Sequence, residues 1–179
     1  MTGSPTRRQF LSLSMLAATA VLVRPSRARA HAGERSISFY NEHTGESVKT
    51  VFWADGDYVA EGLREIDWLL RDYRSEEVAP IDPRLIDQLY RLRRQIGVRR
   101  PYHVVSGYRS PKTNEILRQS SSGVAKNSYH VRGMAVDIFL PKLDLKALRR
   151  VAVELRAGGV GYYPKLGFVH LDSGRVRSW

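Results

Sequence analysis

The sequence predicts an α+β domain in which helices pack on a small, mainly antiparallel sheet. Short β-prone runs recur along the chain, several of them separated only by turn residues. Between them lie longer segments whose apolar residues fall at helical spacing. No internal repeat or long linker divides the 179 residues, a length that supports one core and hence one site.

Composition narrows the functional classes. Hydrophobic residues at 42% and charged residues at 26% suit a folded domain and exclude chain-wide disorder. No run reaches the ~18 uncharged apolar residues of a membrane span. The absence of cysteine excludes disulfide staples, thiolate metal sites and thiol nucleophiles. Of the net charge of +11, Arg7, Arg8, Arg24, Arg27 and Arg29 supply five units with no acid among the first 30 residues, which leaves +6 for the remainder. Such a surface favours an anionic partner, although solubility alone explains it as well. Nucleic acid is not expected, because the chain has no RNA-binding signature, zinc finger or basic helix.

Residues 1 to 30 read as an export signal: Arg7-Arg8, an apolar segment from Phe10 to Val23, then small residues at Ala28 and Ala30. Thr6-Arg7-Arg8-Gln9-Phe10-Leu11 resembles a twin-arginine signal, which directs folded proteins across the bacterial inner membrane. A retained N-terminal anchor is the alternative, and the shortness of the apolar core argues against it. The expected product is a periplasmic domain of residues 31 to 179 with no stable membrane span.

The domain opens with a hairpin, Ser36 to Tyr40 and Val48 to Trp53, joined through Asn41-Glu42-His43-Thr44-Gly45. From Asp57 onward Val59, Leu63, Ile66, Leu69, Leu70 and Tyr73 form a helical stripe, with Trp68 beside it and expected in the core. Asp82-Pro83 starts a second helix that buries Leu85, Ile86, Leu89, Leu92 and Ile96. Tyr102 to Ser106 is a strand, Gly107 turns the chain, and Ser110-Pro111 starts a helix through Leu117. After a polar loop from Ser120 to Asn127 comes a strand from Ala135 to Leu140, whose period of two sets Val136 and Ile138 against Asp137. Asp144 caps the next helix, which Gly158-Gly159 ends. Val160 to Tyr163, Phe168 to Asp172 and Arg175 to Arg177 complete the sheet.

The chemistry gathers on few residues. His130 precedes the strand that carries Asp137, and His170 lies on a later strand, so a loop and two strands can converge on one ion. Two imidazoles and a carboxylate, with water in the fourth position, are what a catalytic zinc ion takes. Asp137 is the telling member: a lone carboxylate in an apolar run is costly unless it is paired or coordinated. Arg109, at a strand-to-helix turn, is the partner that would neutralise it without metal.

Ser106-Gly107-Tyr108-Arg109-Ser110-Pro111, Ser128-Tyr129-His130, Gly133, Ala135, Asp137 and a C-terminal histidine resemble the D-alanyl-D-alanine metallopeptidase family of cell-wall enzymes. The match is nearest to its YcbK-like murein endopeptidase branch, over about residues 35 to 179. The resemblance implies zinc as cofactor, His130, Asp137 and His170 as its ligands, and Arg109 as the residue that holds the substrate carbonyl. It implies peptidoglycan as substrate, with Ser128 and Tyr108 on the substrate side of the site. Many members carry an acidic residue three positions before the last histidine and often a histidine two before it; here those positions are Gly167 and Phe168. Asp172, two residues from His170 on one strand face, is the expected substitute as general base, with a turn-forming role before Ser173-Gly174 as the alternative. A non-catalytic zinc-containing peptidoglycan-binding domain on the same fold is the competing expectation.

Overall fold

The computed structural model describes residues 33–120 and 123–179. The expected export signal lies outside them, as do two serines of the polar loop. Strand alternation in β1 (Arg35–Asn41) buries Ile37, Phe39 and Asn41, and β2 (Ser47–Ala54) pairs with it antiparallel. The connecting turn is closed by the Asn41 side chain, which accepts from the backbone N–H groups of His43 and Thr44. A short β3 (Asp57–Tyr58) returns along β2, and α1 (Ala60–Leu69) follows.

The second helix, α2 (Pro83–Ile96), begins where its cap predicts. Asp82 accepts from Arg84 N at 3.0 Å, proline occupies the first turn, and Gly97 closes the helix at φ 77°. Then come β4 (Tyr102–Ser106), α3 (Pro111–Ser120), a single 3-10 turn (Tyr129–Arg132) and β5 (Ala135–Phe139). Asp144 caps α4 (Leu145–Glu154) by accepting from Ala147 N, and β6 (Gly159–Tyr163), β7 (Phe168–Asp172) and β8 (Arg177–Ser178) end the described chain.

The strands form one sheet in the order β3-β2-β1-β4-β5-β7-β6-β8. Among the described residues only the β1–β4 and β6–β8 pairs are parallel, so the mainly antiparallel α+β expectation holds. Helix stripes, including Ile66 and Leu69 of α1, Leu85, Ile86, Leu89 and Leu92 of α2 and Leu148 and Ala152 of α4, share one buried cluster with Ile37, Phe39, Val136, Ile138, Val169 and Leu171 of the sheet. Burying one such side chain contributes about 1.5–3 kcal/mol before the cost of ordering it. Because strand side chains alternate, the residues between these core positions, Asp137 on β5 and His170 on β7, project from the opposite face. One sheet thus separates the core from the polar site.

Two expectations for the first helix are corrected. It stops at Leu69 instead of continuing to Tyr73, because long-range partners capture the next residues. Arg71 donates to Glu46 at 2.7 Å and to Glu76 at 2.8 Å, Asp72 accepts from Ser110 N at 2.9 Å, and Tyr73 stacks on His43. Trp68 is 53% exposed rather than in the core, and its ring carries the Arg71 guanidinium at 4.3 Å. At the other end the last strand starts at Arg177, two residues later than expected, because Ser173-Gly174 and the Arg177 ion pair with Asp172 shape the preceding turn.

A three-donor metal centre

The turn after β4 is clamped before any ligand is placed. Gly107 passes so close to α1 that a Cβ there would lie 2.3 Å from Leu70 O, and Tyr108 N donates to the same oxygen at 2.7 Å. Arg109 N donates to His130 O, which ties this turn to the 3-10 turn. Ser128 caps that turn by accepting from His130 N, and Gly133 ends it in the left-handed region at φ 64°. His130 is thereby held over β5 and β7, where Asp137 and His170 are direct cross-strand partners.

Three donor atoms meet. His170 Nδ1 lies 2.8 Å from Asp137 Oδ1, His130 Nε2 lies 3.3 Å from that oxygen, and the two nitrogens are 3.2 Å apart. A tetrahedral zinc ion with bonds of about 2.0–2.1 Å separates its ligands by about 3.3 Å, so the triangle fits that ion with small relaxation.

Hydrogen bonds on the far side of each ring select the tautomers. His130 Nδ1 faces Gly107 O at 2.7 Å; a carbonyl only accepts, so Nδ1 carries the proton and the Nε2 lone pair is free. His170 Nε2 faces Asp172 Oδ2 at 3.3 Å, which leaves Nδ1 as the inward lone pair. Two lone pairs and a carboxylate oxygen converging in a buried place repel one another unless a cation lies among them. Among the described residues this is the group able to hold a metal ion.

The electrostatics agree. Burial pushes the His130 imidazole below its usual value, and the attraction of Asp137 does not offset it. Burial also opposes charging of His170, but the Asp137 and Asp172 carboxylates outweigh it and push that ring up to about 9. Asp137 is held well below the carboxylate range, since the two histidines overcome its burial. Without metal the site therefore holds a proton on His170 as its cation.

Around the donors opens a cavity of about 270 Å³. Ser128, Tyr129, Tyr163, Leu166, Phe168 and Trp179 are among the residues that line it. Arg109 reaches it from the clamped turn; its Nη2 lies 3.6 Å from Asp137 Oδ2, and its buried Nε has no partner.

Two expected residues lie elsewhere than in the cavity wall. Tyr108 follows the backbone past the site and packs its ring on the core, because neighbours in an extended segment point opposite ways. Asp172 does share a face with His170, as the period of two requires, but it is 0% exposed behind the ring. Its Oδ1 accepts from Gly159 N, Gly174 N and Arg177, and its Oδ2 from Arg177 at 2.7 Å and from His170. No oxygen is left for a water in the cavity, so the geometry does not suit a general base. Sequence reading passed over Tyr163, Phe168 and Trp179; the period of two from His170 to Phe168 and the aromatic content of residues 162–179 were the available signals.

The family model described as peptidoglycan L,D-endopeptidase MepK matches residues 29–179. The peptidoglycan L,D-endopeptidase MepK of Escherichia coli (strain K12) is 44% identical over 175 residues, covering 97% of this chain and 96% of that one. The chain belongs to the MepK family. A probable peptidoglycan L,D-endopeptidase MepK of Haemophilus influenzae is 37% identical over 177 residues, with 97% and 95% covered. The murein endopeptidase branch suggested by the motifs is thus the right one, and the chain is a MepK-family peptidase in which His130, Asp137 and His170 form a group suited to a metal ion.

Proposed function

We propose that the protein is a zinc-dependent endopeptidase that hydrolyses peptide cross-links in bacterial peptidoglycan. The observation that carries this reading is the convergence of the His130, Asp137 and His170 donor atoms beside an open cavity, in a chain similar along nearly its whole length to MepK endopeptidases. Zinc bound there supplies acidification of water and polarisation of the scissile carbonyl.

The protein's own residues do the rest. Arg109 aims a buried guanidinium with an unpartnered Nε into the cavity, where it holds the substrate carbonyl and stabilises the negative charge that grows on its oxygen. Ser128, on the cavity wall, contacts the substrate. Asp172 orients His170 through the ring nitrogen that faces away from the cavity. Export by the twin-arginine route to the periplasm, with residues 1 to 30 as the signal, completes the reading. It rests on Arg7-Arg8 ahead of a short apolar segment.

A second reading draws on one feature: among the described residues that line the cavity, Asp137 is the one carboxylate. A peptidoglycan-binding domain without activity needs no other. Incubating the purified protein with cross-linked muropeptides, with and without a chelator, separates the two. The proposed enzyme converts dimers to monomers and stops when chelated; a binding domain retains dimers and cleaves none. Export is tested by replacing Arg7 and Arg8 with lysine, which should leave precursor in the cytoplasm.

A further inference from the structure

One part of the cavity wall is built around a missing side chain. Gly161 on β6 lies directly across from His170 on β7, and a Cβ there would come within 2.8 Å of both the Trp179 ring and the Tyr163 ring. The bare backbone is therefore the seat on which these two aromatics rest. Trp179 is held on it from both sides, its N–H donating to Val160 O and its carbonyl accepting from Tyr162 N. Its ring lies 5.5 Å from that of His170 and carries the Arg177 guanidinium at 4.7 Å. Tyr163 is braced in turn by Phe168, its cross-strand partner, at 4.9 Å between ring centroids.

One contact fixes what Tyr163 presents to the cavity. Trp179 Nε1–H donates to the Tyr163 hydroxyl oxygen at 2.9 Å. An indole N–H cannot accept, so the phenol proton is not taken up by Trp179 and is free to be donated to water or to an occupant of the cavity that Tyr163 lines. Tyr163 and Arg109 both line this cavity.

We propose that Tyr163 is a second oxyanion donor, a catalytic residue that acts with Arg109, and that Trp179 is the positioning residue that aims its O–H. This rests on the endopeptidase reading above. As the attacking water oxygen bonds to the scissile carbon and gives up one proton to solvent, the carbonyl π pair moves onto the carbonyl oxygen, and that oxygen accepts from Tyr163 and Arg109 together. Tyr163 keeps its proton throughout. A neutral donor set beside a charged one adds direction, because the hydroxyl satisfies only an oxygen standing where the indole contact aims it.

The test is Tyr163→Phe and Trp179→Phe in the full chain, assayed on cross-linked muropeptide dimers beside wild type, with zinc content measured on the same preparations. Tyr163→Phe should lower kcat roughly 10²-fold, with KM, zinc content and the shape of the pH profile retained. Trp179→Phe, which keeps a ring but removes the N–H, should lower kcat less and in the same pattern. The proposal is overturned if Tyr163→Phe keeps wild-type kcat, if its loss falls on KM alone, if zinc is lost with the rate, or if a limb of the pH profile disappears, which would mark proton transfer. Wild type that fails to cleave would refute the endopeptidase reading instead.

Discussion

Asp172 shows how a side chain can sit next to the chemistry and take no direct part in it. Its carboxylate is fixed by two backbone N–H groups and the Arg177 guanidinium, and what remains of it steadies His170. Asp172→Asn should therefore weaken zinc binding by about 10–100-fold, as loss of a carboxylate behind a ligating histidine does. Competition with a chromophoric chelator measures this; unchanged affinity with a collapsed kcat would restore Asp172 as the base. Arg109→Gln should do the reverse, keeping zinc while kcat falls roughly 10²–10³-fold. At this scale the ligands could be read from the chain because each lies in a motif with a recognisable spacing. The face of Asp172 could be read as well, from strand period. Its depth could not, because Arg177 and the close pass of Gly159 decide it, and neither contact leaves a local pattern.

The elements around the site are tied to one another by buried polar contacts, of which Asp72 is the clearest. It lies just beyond α1 and accepts from Ser110 N at the start of α3, so it braces the turn that presents Arg109. Burial opposes its ionisation, but hydrogen bonds from Thr113, Ser110 and Arg74 prevail and hold its pKa below the ordinary value. The sign follows: its contribution is complete above the unfolded carboxylate value of about 3.9 and is lost as pH falls through the lower folded value. Asp72→Asn should cost on the order of 2 kcal/mol at pH 7, and the gap from wild type should narrow below about pH 4. Denaturant titrations across that range give the answer, and a gap independent of pH would contradict it. The same contact explains why the end of α1 was illegible: the stripe runs on to Tyr73, whereas the partner that stops the helix is 38 residues away. By contrast α2 and α4 were legible because their caps, Asp82 and Asp144, lie within the segments themselves.

For the whole molecule the sheet is a partition, with the apolar core and the helices α1, α2 and α4 against one face and the three donors on the other. Metal should then stabilise the fold without being its foundation. At free zinc 100-fold above the dissociation constant the expected gain is about 2.7 kcal/mol, which at about 2–4 °C per kcal/mol raises Tm by roughly 5–10 °C. Differential scanning with zinc and with chelator measures the shift, and Asp137→Ala should abolish it. A chelated protein that loses its secondary structure would show instead that the core depends on the ion. The basic surface and the apolar helix stripes were plain in the composition and periodicity of the chain. The partition was not, because the parallel β1–β4 pairing that joins the first hairpin to the rest of the sheet is a contact across more than sixty positions with no signature in either strand.

The pairing of Asp137 with His170 makes the site an inspector of alignment as well as a binding place. Strand side chains alternate, so a slip of one position between β5 and β7 would turn one donor toward the core and leave the other facing outward. No ion could then find three donors. Capture of metal is thus reserved for chains whose last long strand has docked correctly, and in a refolding experiment the arrival of zinc would timestamp the moment at which the two halves of the sheet agree.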